Sequence, residues 1–248
     1  GAGLHPDAVV LVGDPRRECA VELVRSPGLI PLVILRGSGD TTRTLGLEAA
    51  QHGVRTLAHA DGGGVLYVDR AAGVDLAHTL VTSSIDRLGV CNRLNLLLVD
   101  RHRWDELVPG LVDLLAEQGL RASLPPHDHA LGHEWALDDG HEATVTLAPA
   151  DGPADAASIA NRETSGLAAT VVAADEAAAR TFLDTYAGTG AFWNATTRLL
   201  DGLKLRRVPE TGINVDHVPG PRGPVVFTDL CLRQYLVVPA STAIGHPE

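Results

Sequence analysis

The chain has 248 residues, of which 45% are apolar and 21% charged, and its 20 Lys and Arg against 31 Asp and Glu give a formal net charge of −11. This length is enough for one large or two modest domains. The acidic balance argues against a nucleic-acid partner, because phosphate binding needs clustered basic side chains. No apolar run approaches the roughly 18 residues of a membrane-spanning helix, so we expect a soluble protein without a membrane partner.

Three cysteines, Cys19, Cys91 and Cys231, lie far apart and form no CxxC pair. Their odd number and spacing indicate neither a disulfide framework nor a thiolate metal site. The start of the sequence lacks the basic and apolar regions of a signal peptide. We therefore expect a reducing, cytoplasmic location.

Short strand-like runs alternate with longer helical patterns in the first part of the chain, which is typical of βαβ units and a largely parallel sheet. Asp14 and Pro15 are suited to begin the first helix, since aspartate caps helix N-termini and proline fits the first turn. A glycine turn, RGSGD, precedes the second helix. The predicted strands are 8–13, 29–35 and 54–59, and the predicted helices are 16–24 and 41–51.

The same alternation resumes after the glycine run at 62–64 and predicts a second α/β set. Residues 122–142 lose the periodicity and read as a long surface loop, while the tail from 202 is rich in Pro and Gly, with closing strands expected within 224–238. The predicted strands are 64–69, 94–100, 144–148, 168–173 and 191–196, and the predicted helices are 73–84, 103–118, 154–161 and 175–186.

Cys91 occupies a predicted turn between a helix and the strand at 94–100. A turn at a sheet edge exposes the sulfur and can place it near backbone N–H groups, which lower a thiol pKa and can bind an oxyanion. A cysteine before a strand is more often a buried packing residue. The pattern alone therefore leaves catalysis as the less common interpretation.

The turn formed by Arg36, Gly37, Ser38 and Gly39 comes directly before a predicted helix. Unpaired N–H groups and the helix dipole at such a position suit a phosphate. Glycine is also ordinary in turns between a strand and a helix, so a structural role is equally compatible with this pattern.

The segment 122–142 contains four histidines and a glutamate that raise the question of a metal site: His127, His129, His133, Glu134 and His141. A His-x-His pair can chelate zinc when it is extended. The spacing matches no familiar site, however, so we expect a solvated loop and no metal.

Several short motifs occur together in the order found in one enzyme family. Val90-Cys91-Asn92 runs straight into an apolar strand, LVILRGSGD contains a strand followed by a basic glycine turn, and VLYVD resembles the family's Y-V-D segment. Downstream lie NATTRLLDG (194–202), ETGIN (210–214) and RGP (222–224). The sequence thus resembles the aldehyde dehydrogenase superfamily and, within it, the gamma-glutamyl phosphate reductases, the glutamate-semialdehyde dehydrogenases of proline biosynthesis.

This resemblance implies a nucleophilic role for Cys91, with nearby backbone N–H groups and the side chain of Asn92 as oxyanion donors. It implies a nicotinamide cofactor, NADP or NAD, beside the turn of Arg36, Gly37 and Ser38. Glu142 is placed similarly to the glutamate that superfamily members use on the nicotinamide ribose. The expected substrate is a small acyl phosphate or the corresponding aldehyde.

The implied architecture is an α/β, aldehyde-dehydrogenase-like fold with a partial dinucleotide-binding lobe and a catalytic lobe built on a parallel sheet. We place the end of the dinucleotide-binding domain at 1–63, the thiol domain at 64–203 and a returning oligomerisation segment at 204–248. The family's chain is much longer at its N-terminus. In superfamily members the returning segment pairs across a subunit interface, so the resemblance implies a homo-oligomer. The longer N-terminus of the family's chain also leads us to consider a partner that supplies the rest of the cofactor domain.

Two alternatives to a self-sufficient enzyme stay open. Asn95 stands where the family has a glutamate after V-C-N. Such replacements favour an inactive relative that serves as a binding or assembly module, whereas the intact turn at Cys91 favours an enzyme. The second alternative is one half of a split enzyme whose cofactor half comes from another chain.

Overall fold

A computed structural model describes residues 3, 5–59, 62–215, 222–231 and 239. Its first part forms a small lobe of two parallel strands and two helices with a shared apolar core, to which Val24, Leu35, Ala49 and Val54 contribute. In chain order, the elements of this lobe are α1 (Arg17–Val24), β1 (Leu32–Arg36), α2 (Gly39–Gln51) and β2 (Arg55–His59).

The predicted strand at 8–13 is wrong. A short 3₁₀ turn covers Pro6–Ala8, and the residues that follow it form no strand. Val9 and Leu11 are 86% and 91% exposed. A strand exists only where a neighbouring strand pairs with its backbone, and none of the described residues pairs with this run. The first helix starts at Arg17, and Asp14 instead accepts a hydrogen bond from the Arg16 N–H at 3.0 Å.

A six-stranded parallel sheet forms the centre of the described structure, with strand order β5-β6-β4-β3-β7-β8. Four helices connect its strands. In chain order the elements are β3 (Gly64–Val68), α3 (Val74–Ser84), β4 (Leu94–Asp100), α4 (Trp104–Glu117), β5 (Arg121–Ser123), β6 (Thr144–Ala150), α5 (Pro153–Glu163), β7 (Ala168–Val172), α6 (Glu176–Thr185) and β8 (Gly190–Trp193).

The central strands are uniformly apolar because both faces of the sheet are covered. On one face, Leu66 and Val68 belong to a core that includes Leu111 and Leu115 of α4. On the other face, Tyr67 belongs to a core with residues of α5 and α6, among them Phe182. The six-stranded sheet therefore provides a rigid support for the turns at its edges.

The tail adds an antiparallel pair of strands, β9 (Glu210–Asn214) and β10 (Gly223–Val226). The closing strand predicted at 224–238 is confirmed only as β10, because a 3₁₀ turn follows at Phe227–Asp229. The remainder of that prediction, 232–238, lies outside the described residues. No helix in the described part of the chain is long and apolar enough to cross a membrane.

Candidate active site

Cys91 lies in the turn between α3 and β4, as its sequence context predicts. The Arg93 N–H closes this turn on the Val90 carbonyl at 3.2 Å. The N–H of Gly63 donates to the Cys91 carbonyl at 2.7 Å, which ties the turn to the residues before β3. At neighbouring Gly62, a Cβ would approach the Cα of Cys91 to 2.7 Å, so only glycine allows this close approach.

A cavity of about 250 Å³ opens beside the thiol. It brings Cys91 together with the turn of Arg36, Gly37 and Ser38, although more than fifty residues separate them in sequence. The cavity is lined by Arg36, Gly37, Ser38, Gly62, Gly89, Val90, Cys91, Glu134, Ala136 and Leu137.

The glycine turn is held in place from two sides. The Arg36 guanidinium donates to the carbonyl of Thr211 in β9 at 3.0 Å, so the tail packs against the first lobe. Ser38 is the N-cap residue of α2, and its hydroxyl donates to the Thr41 hydroxyl at 3.1 Å instead of capping the helix backbone. Because Ser38 also lines the cavity, the N-terminus of the thirteen-residue helix α2 lies at the wall of the cavity that contains the thiol.

The environment of Cys91 disfavours the thiolate, which corrects the expectation of an exposed sulfur with a lowered pKa. Burial raises the pKa of the Cys91 thiol, and the negative charge of Glu210 raises this pKa further. The positive charge of Arg36 and the backbone N–H of Cys91 oppose these effects, while Glu134 adds to them. The resting thiol is therefore neutral near pH 7.

Asn92 is 3% exposed, and its amide is bonded inside the fold. Its Nδ2 donates to the Leu200 carbonyl at 2.9 Å, and its Oδ1 accepts from the Arg198 guanidinium. These bonds use the Asn92 Oδ1 and one of the two Nδ2 hydrogens, so the role of this side chain as an oxyanion donor stays a prediction. Its contacts are those of a residue that positions the thiol turn (residues 90–93).

The segment 194–202, which contains the N-A-T-T-R motif, holds the thiol turn in place through side-chain hydrogen bonds. Arg198 donates to the Asp86 carboxylate at 2.7 Å as well as to Asn92. The Thr197 hydroxyl donates to the Asn92 carbonyl at 2.8 Å. The Asp86 carboxylate is thus occupied by an ion pair, and the motif has a structural function.

Glu142 is not among the residues that line the cavity, so the structure does not bring it together with the other predicted site residues. The backbone N–H groups of Glu142 and Gly140 lower the pKa of its carboxyl. Its carbonyl accepts from the guanidinium of Arg93, which is 1% exposed. The loop carboxylate that does line the cavity is Glu134.

The sequence indicates Glu134 only as a possible metal ligand and not as a neighbour of Cys91, because segment 122–142 reads as a solvated loop. The structure shows that part of this loop is packed: Trp135 is 9% exposed, and its indole N–H donates to the Thr146 hydroxyl at 2.9 Å. The Asn95 amide donates to the His133 carbonyl at 2.7 Å, which anchors the loop next to the strand that follows Cys91. A tryptophan inside a polar loop is the sequence signal that could have indicated this packing.

The loop histidines bind protein groups. His133 and His141 lie on either side of the Asp138 carboxylate, at 3.0 and 3.1 Å, and His127 lies 3.1 Å from the Leu147 carbonyl. Within the described residues, no group of three or more His, Cys, Asp or Glu side chains is arranged to hold a metal ion.

Comparison with solved structures defines the class of fold. The crystal structure of a gamma-glutamyl phosphate reductase from Thermotoga maritima matches with a TM-score of 0.79 at 20% identity, covering 94% of this chain and 57% of that one. An acetylating aldehyde dehydrogenase from Geobacillus thermoglucosidasius matches with a TM-score of 0.70 at 14% identity, covering 96% and 64%. The fold is that of the aldehyde dehydrogenases, as the motifs imply.

Sequence comparison identifies the relatives more narrowly. No family model matches the sequence. Gamma-glutamyl phosphate reductases from Synechococcus and Thermus thermophilus are 35% and 31% identical over 224 and 244 residues, which is 86% and 92% of this chain. The chain is a homologue of gamma-glutamyl phosphate reductase, and it spans about half the length of these relatives, 48% and 57%.

Proposed function

We propose that this chain carries the thiol centre of a reductase that converts an acyl phosphate to an aldehyde through a thioester on Cys91. The observation that carries the proposal is the single cavity shared by Cys91 and the turn of Arg36, Gly37 and Ser38. Relatives named gamma-glutamyl phosphate reductase support this class of reaction.

The chemistry at Cys91 begins when the thiol loses its proton to solvent and the sulfur attacks the acyl carbon. A C–S bond forms, the bond between the acyl carbon and the phosphate oxygen breaks, and inorganic phosphate leaves. Reduction of the thioester carbon by two electrons and release of the sulfur then give the aldehyde. The backbone N–H groups of the turn are candidate donors to the oxyanion, and the second Nδ2 hydrogen of Asn92, whose other hydrogen is bonded to the Leu200 carbonyl, is a further candidate.

The described residues fit one end of a nicotinamide cofactor, NADP or NAD. Arg36 supplies a positive charge, and Gly37 and Ser38 bring the N-terminus of α2 to the cavity, an arrangement that suits an anionic group. When bound there, the cofactor would supply the hydride. Glu134, which lines this cavity, is our candidate for the role expected of Glu142, because its carboxylate can accept hydrogen bonds from ribose hydroxyls.

Titration of the chain with NADPH and NADH, followed by fluorescence or heat, tests the cofactor site. We expect saturable binding with a micromolar dissociation constant, about −8 kcal/mol. Arg36→Ala should weaken binding, and Cys91→Ala should retain it. If the full chain bound neither nucleotide, alone or together with a polypeptide that completes the cofactor lobe, the proposed reductase activity would be contradicted.

A second candidate is half of a split enzyme, whose cofactor lobe is completed by another polypeptide or a second copy of the chain. The exposure of Val9, Val10 and Leu11 favours it, because an apolar run of this kind is suited to covering by another strand. Nucleotide binding that appears only when that polypeptide is added would support it. A third candidate, an assembly module without catalysis, is favoured by the raised pKa of the Cys91 thiol.

All three cysteines are free thiols. A nucleophilic cysteine must stay reduced, so we propose that the protein acts in a reducing compartment such as the cytoplasm.

A further inference from the structure

The long loop between β5 and β6 contains a hydrogen-bonded pair of histidines. His127 Nε2 lies 3.1 Å from the Leu147 carbonyl of β6, and His129 Nδ1 lies 2.8 Å from the Ala130 carbonyl. The other nitrogen of each ring lies against the Ser123 hydroxyl at the end of β5, at 3.3 Å for His127 and 2.7 Å for His129. Ser123 therefore joins the two imidazoles, whose ring centroids are 5.0 Å apart.

These four contacts determine how many protons the pair holds. A carbonyl oxygen only accepts hydrogen bonds, so His127 Nε2 and His129 Nδ1 both carry hydrogen. The Ser123 hydroxyl has one hydrogen and can donate to one ring only. If both rings were neutral, the remaining contact with Ser123 would bring two acceptors together, and if both were charged, two positive charges would lie 5.0 Å apart. All four hydrogen bonds form when one ring is neutral and the other is an imidazolium.

The additional proton belongs to His129. Burial lowers the pKa of His127, and the positive charge of His129 lowers this pKa further. The bond to the Leu147 carbonyl and the negative charge of Asp128 oppose these effects without reversing them. His127 is therefore the neutral ring that accepts from Ser123, and His129 is the imidazolium.

The pair is connected to the thiol cavity through the next turn of the loop. The Ala130 carbonyl that accepts from the His129 ring also accepts from the His133 N–H at 3.0 Å. The His129 ring packs nearly perpendicular to the Trp135 indole, with 4.8 Å between the ring centroids. Glu134, which lines the thiol cavity, lies between His133 and Trp135 in sequence. A change at His129 therefore reaches both neighbours of Glu134.

We infer that Ser123, His127 and His129 form a proton-binding site that positions Glu134 at the thiol cavity in a pH-dependent way. The inference rests on the proposed function only for the role of Glu134. Loss of the proton removes one of the four hydrogen bonds, because Ser123 then has one hydrogen for two acceptors. The loop is therefore held when the pair is protonated, and it loosens as the pH rises through the range in which histidine titrates.

The groups around the pair favour a single added proton. β6 contains no titratable side chain, so the charged and titratable groups belong to the loop, to β5 and to the end of α5, and they are Asp128, His133, Asp138, His141, Arg121 and Glu163. His133 and His141 both contact the Asp138 carboxylate, which compensates their protonation locally. Arg121 donates to the Gly140 carbonyl, and Glu163 pairs with Arg162. Asp128 adds negative charge directly beside the pair.

Nuclear magnetic resonance of the isotope-labelled full chain tests the proton count. At about pH 6 we expect hydrogen on both ring nitrogens of His129 and on Nε2 alone of His127. The variants His127→Gln and His129→Gln assign the two sets of signals. Two neutral rings or two charged rings at this pH would overturn the inference.

The same spectra measure loosening of the loop through hydrogen exchange of the Trp135 indole N–H, which donates to the Thr146 hydroxyl at 2.9 Å. The internal reference is the Trp193 indole N–H, which donates to the Ala173 carbonyl at 3.0 Å. Base catalysis accelerates both exchanges alike. We therefore expect the ratio of the Trp135 rate to the Trp193 rate to rise about two- to tenfold between about pH 6 and about pH 8, as loss of one hydrogen bond implies.

Ser123→Ala removes the shared hydroxyl and should make this ratio independent of pH. Ser158→Ala is the matched control and should keep the rise, because the Ser158 hydroxyl is exposed on α5 and donates to the Ala154 carbonyl. A constant ratio in the native chain, or a rise that Ser123→Ala retains, would overturn the inference. These measurements involve neither Cys91 nor a cofactor, so their failure leaves the proposed reductase standing, and failure of acyl transfer to Cys91 leaves the proton site standing.

Discussion

Cys91 combines a nucleophilic side chain with surroundings that keep it protonated. Burial is the largest of the effects that raise its pKa, and the carboxylate of Glu210 is the next. Arg36 is the positive charge that counters them. A bound anion at Arg36 would weaken that counter-charge, so the order in which ligands enter the cavity should affect the reactivity of the thiol.

The raised pKa gives a prediction for alkylation of Cys91 by iodoacetamide. Because only the thiolate reacts, the rate should rise with pH and continue to rise above the ordinary cysteine pKa of about 8.5. Glu210→Gln removes a negative charge and should lower the thiol pKa, so alkylation at neutral pH should become faster. Peptide mapping by mass spectrometry measures the rate at Cys91 alone.

Glu176→Gln is the control for this prediction, since Glu176 is exposed on α6 and pairs with Arg180. It should leave the profile unchanged. A Glu210→Gln variant that reacts more slowly than the native chain at neutral pH would contradict the proposed electrostatics.

Cys91 and the turn at Arg36 could be selected as candidates because each lies in a short motif that resembles the reductase family, although the local pattern alone leaves the role of each open. Glu134 could not be predicted in this way. Its position depends on the packing of Trp135 against Thr146 and on the bond from Asn95 to His133, and these contacts join parts of the chain that are far apart. A carboxylate in a long loop carries no local sign of which cavity it will face.

At the scale of elements, the segment 194–202 determines where the thiol turn lies. Its Arg198 is 8% exposed and bonds both Asp86 and Asn92, while the Leu200 carbonyl accepts from Asn92. A buried guanidinium with two partners fixes a turn more rigidly than backbone bonds alone. The N-A-T-T-R motif therefore fixes the position of the turn that carries Cys91.

Arg198→Ala should destabilise the chain by about 1.5–3 kcal/mol, because it leaves Asn92 and the Asp86 carboxylate without their charged donor. Urea unfolding followed by circular dichroism measures the change. Arg180→Ala, at an exposed pair on α6, should cost less than about 1 kcal/mol. Equal losses in the two variants would show that Arg198 does not hold the turn.

Each strand and helix predicted between residues 29 and 200 is present within a few residues, because periodicity is strong where both faces of a sheet are buried. The prediction of a strand at 8–13 is wrong. The composition of this run is strand-like, but no described strand pairs with it. The strand β9 was not predicted, since ETGIN has mixed composition and is defined by its pairing with β10.

At the scale of the whole molecule, the two lobes differ in how completely they are covered. The six-stranded sheet has helices on both faces, whereas the described part of the first lobe has two strands. Val9, Val10 and Leu11 add exposed apolar surface beside this smaller lobe. Such surface favours association with another polypeptide.

We therefore expect the chain to form homo-oligomers, with a mass by light scattering above that of one copy. Leu11→Asp should shift the population towards the monomer, because it places a charge within the apolar run. Leu124→Asp, at an exposed leucine of the long loop, should have no such effect. A monomer at all concentrations would refute association through this surface.

Transfer of an acyl group to Cys91 is the most direct test of the proposed chemistry. The full chain is mixed with a small acyl phosphate such as acetyl phosphate, quenched in acid and measured by intact-mass and peptide mass spectrometry. We predict one acyl group per chain, located on Cys91, released by hydroxylamine and absent from Cys91→Ala, while Cys19→Ala and Cys231→Ala retain it. An unmodified native chain, or equal labelling of Cys91→Ala, would contradict the assignment of Cys91 as the nucleophile.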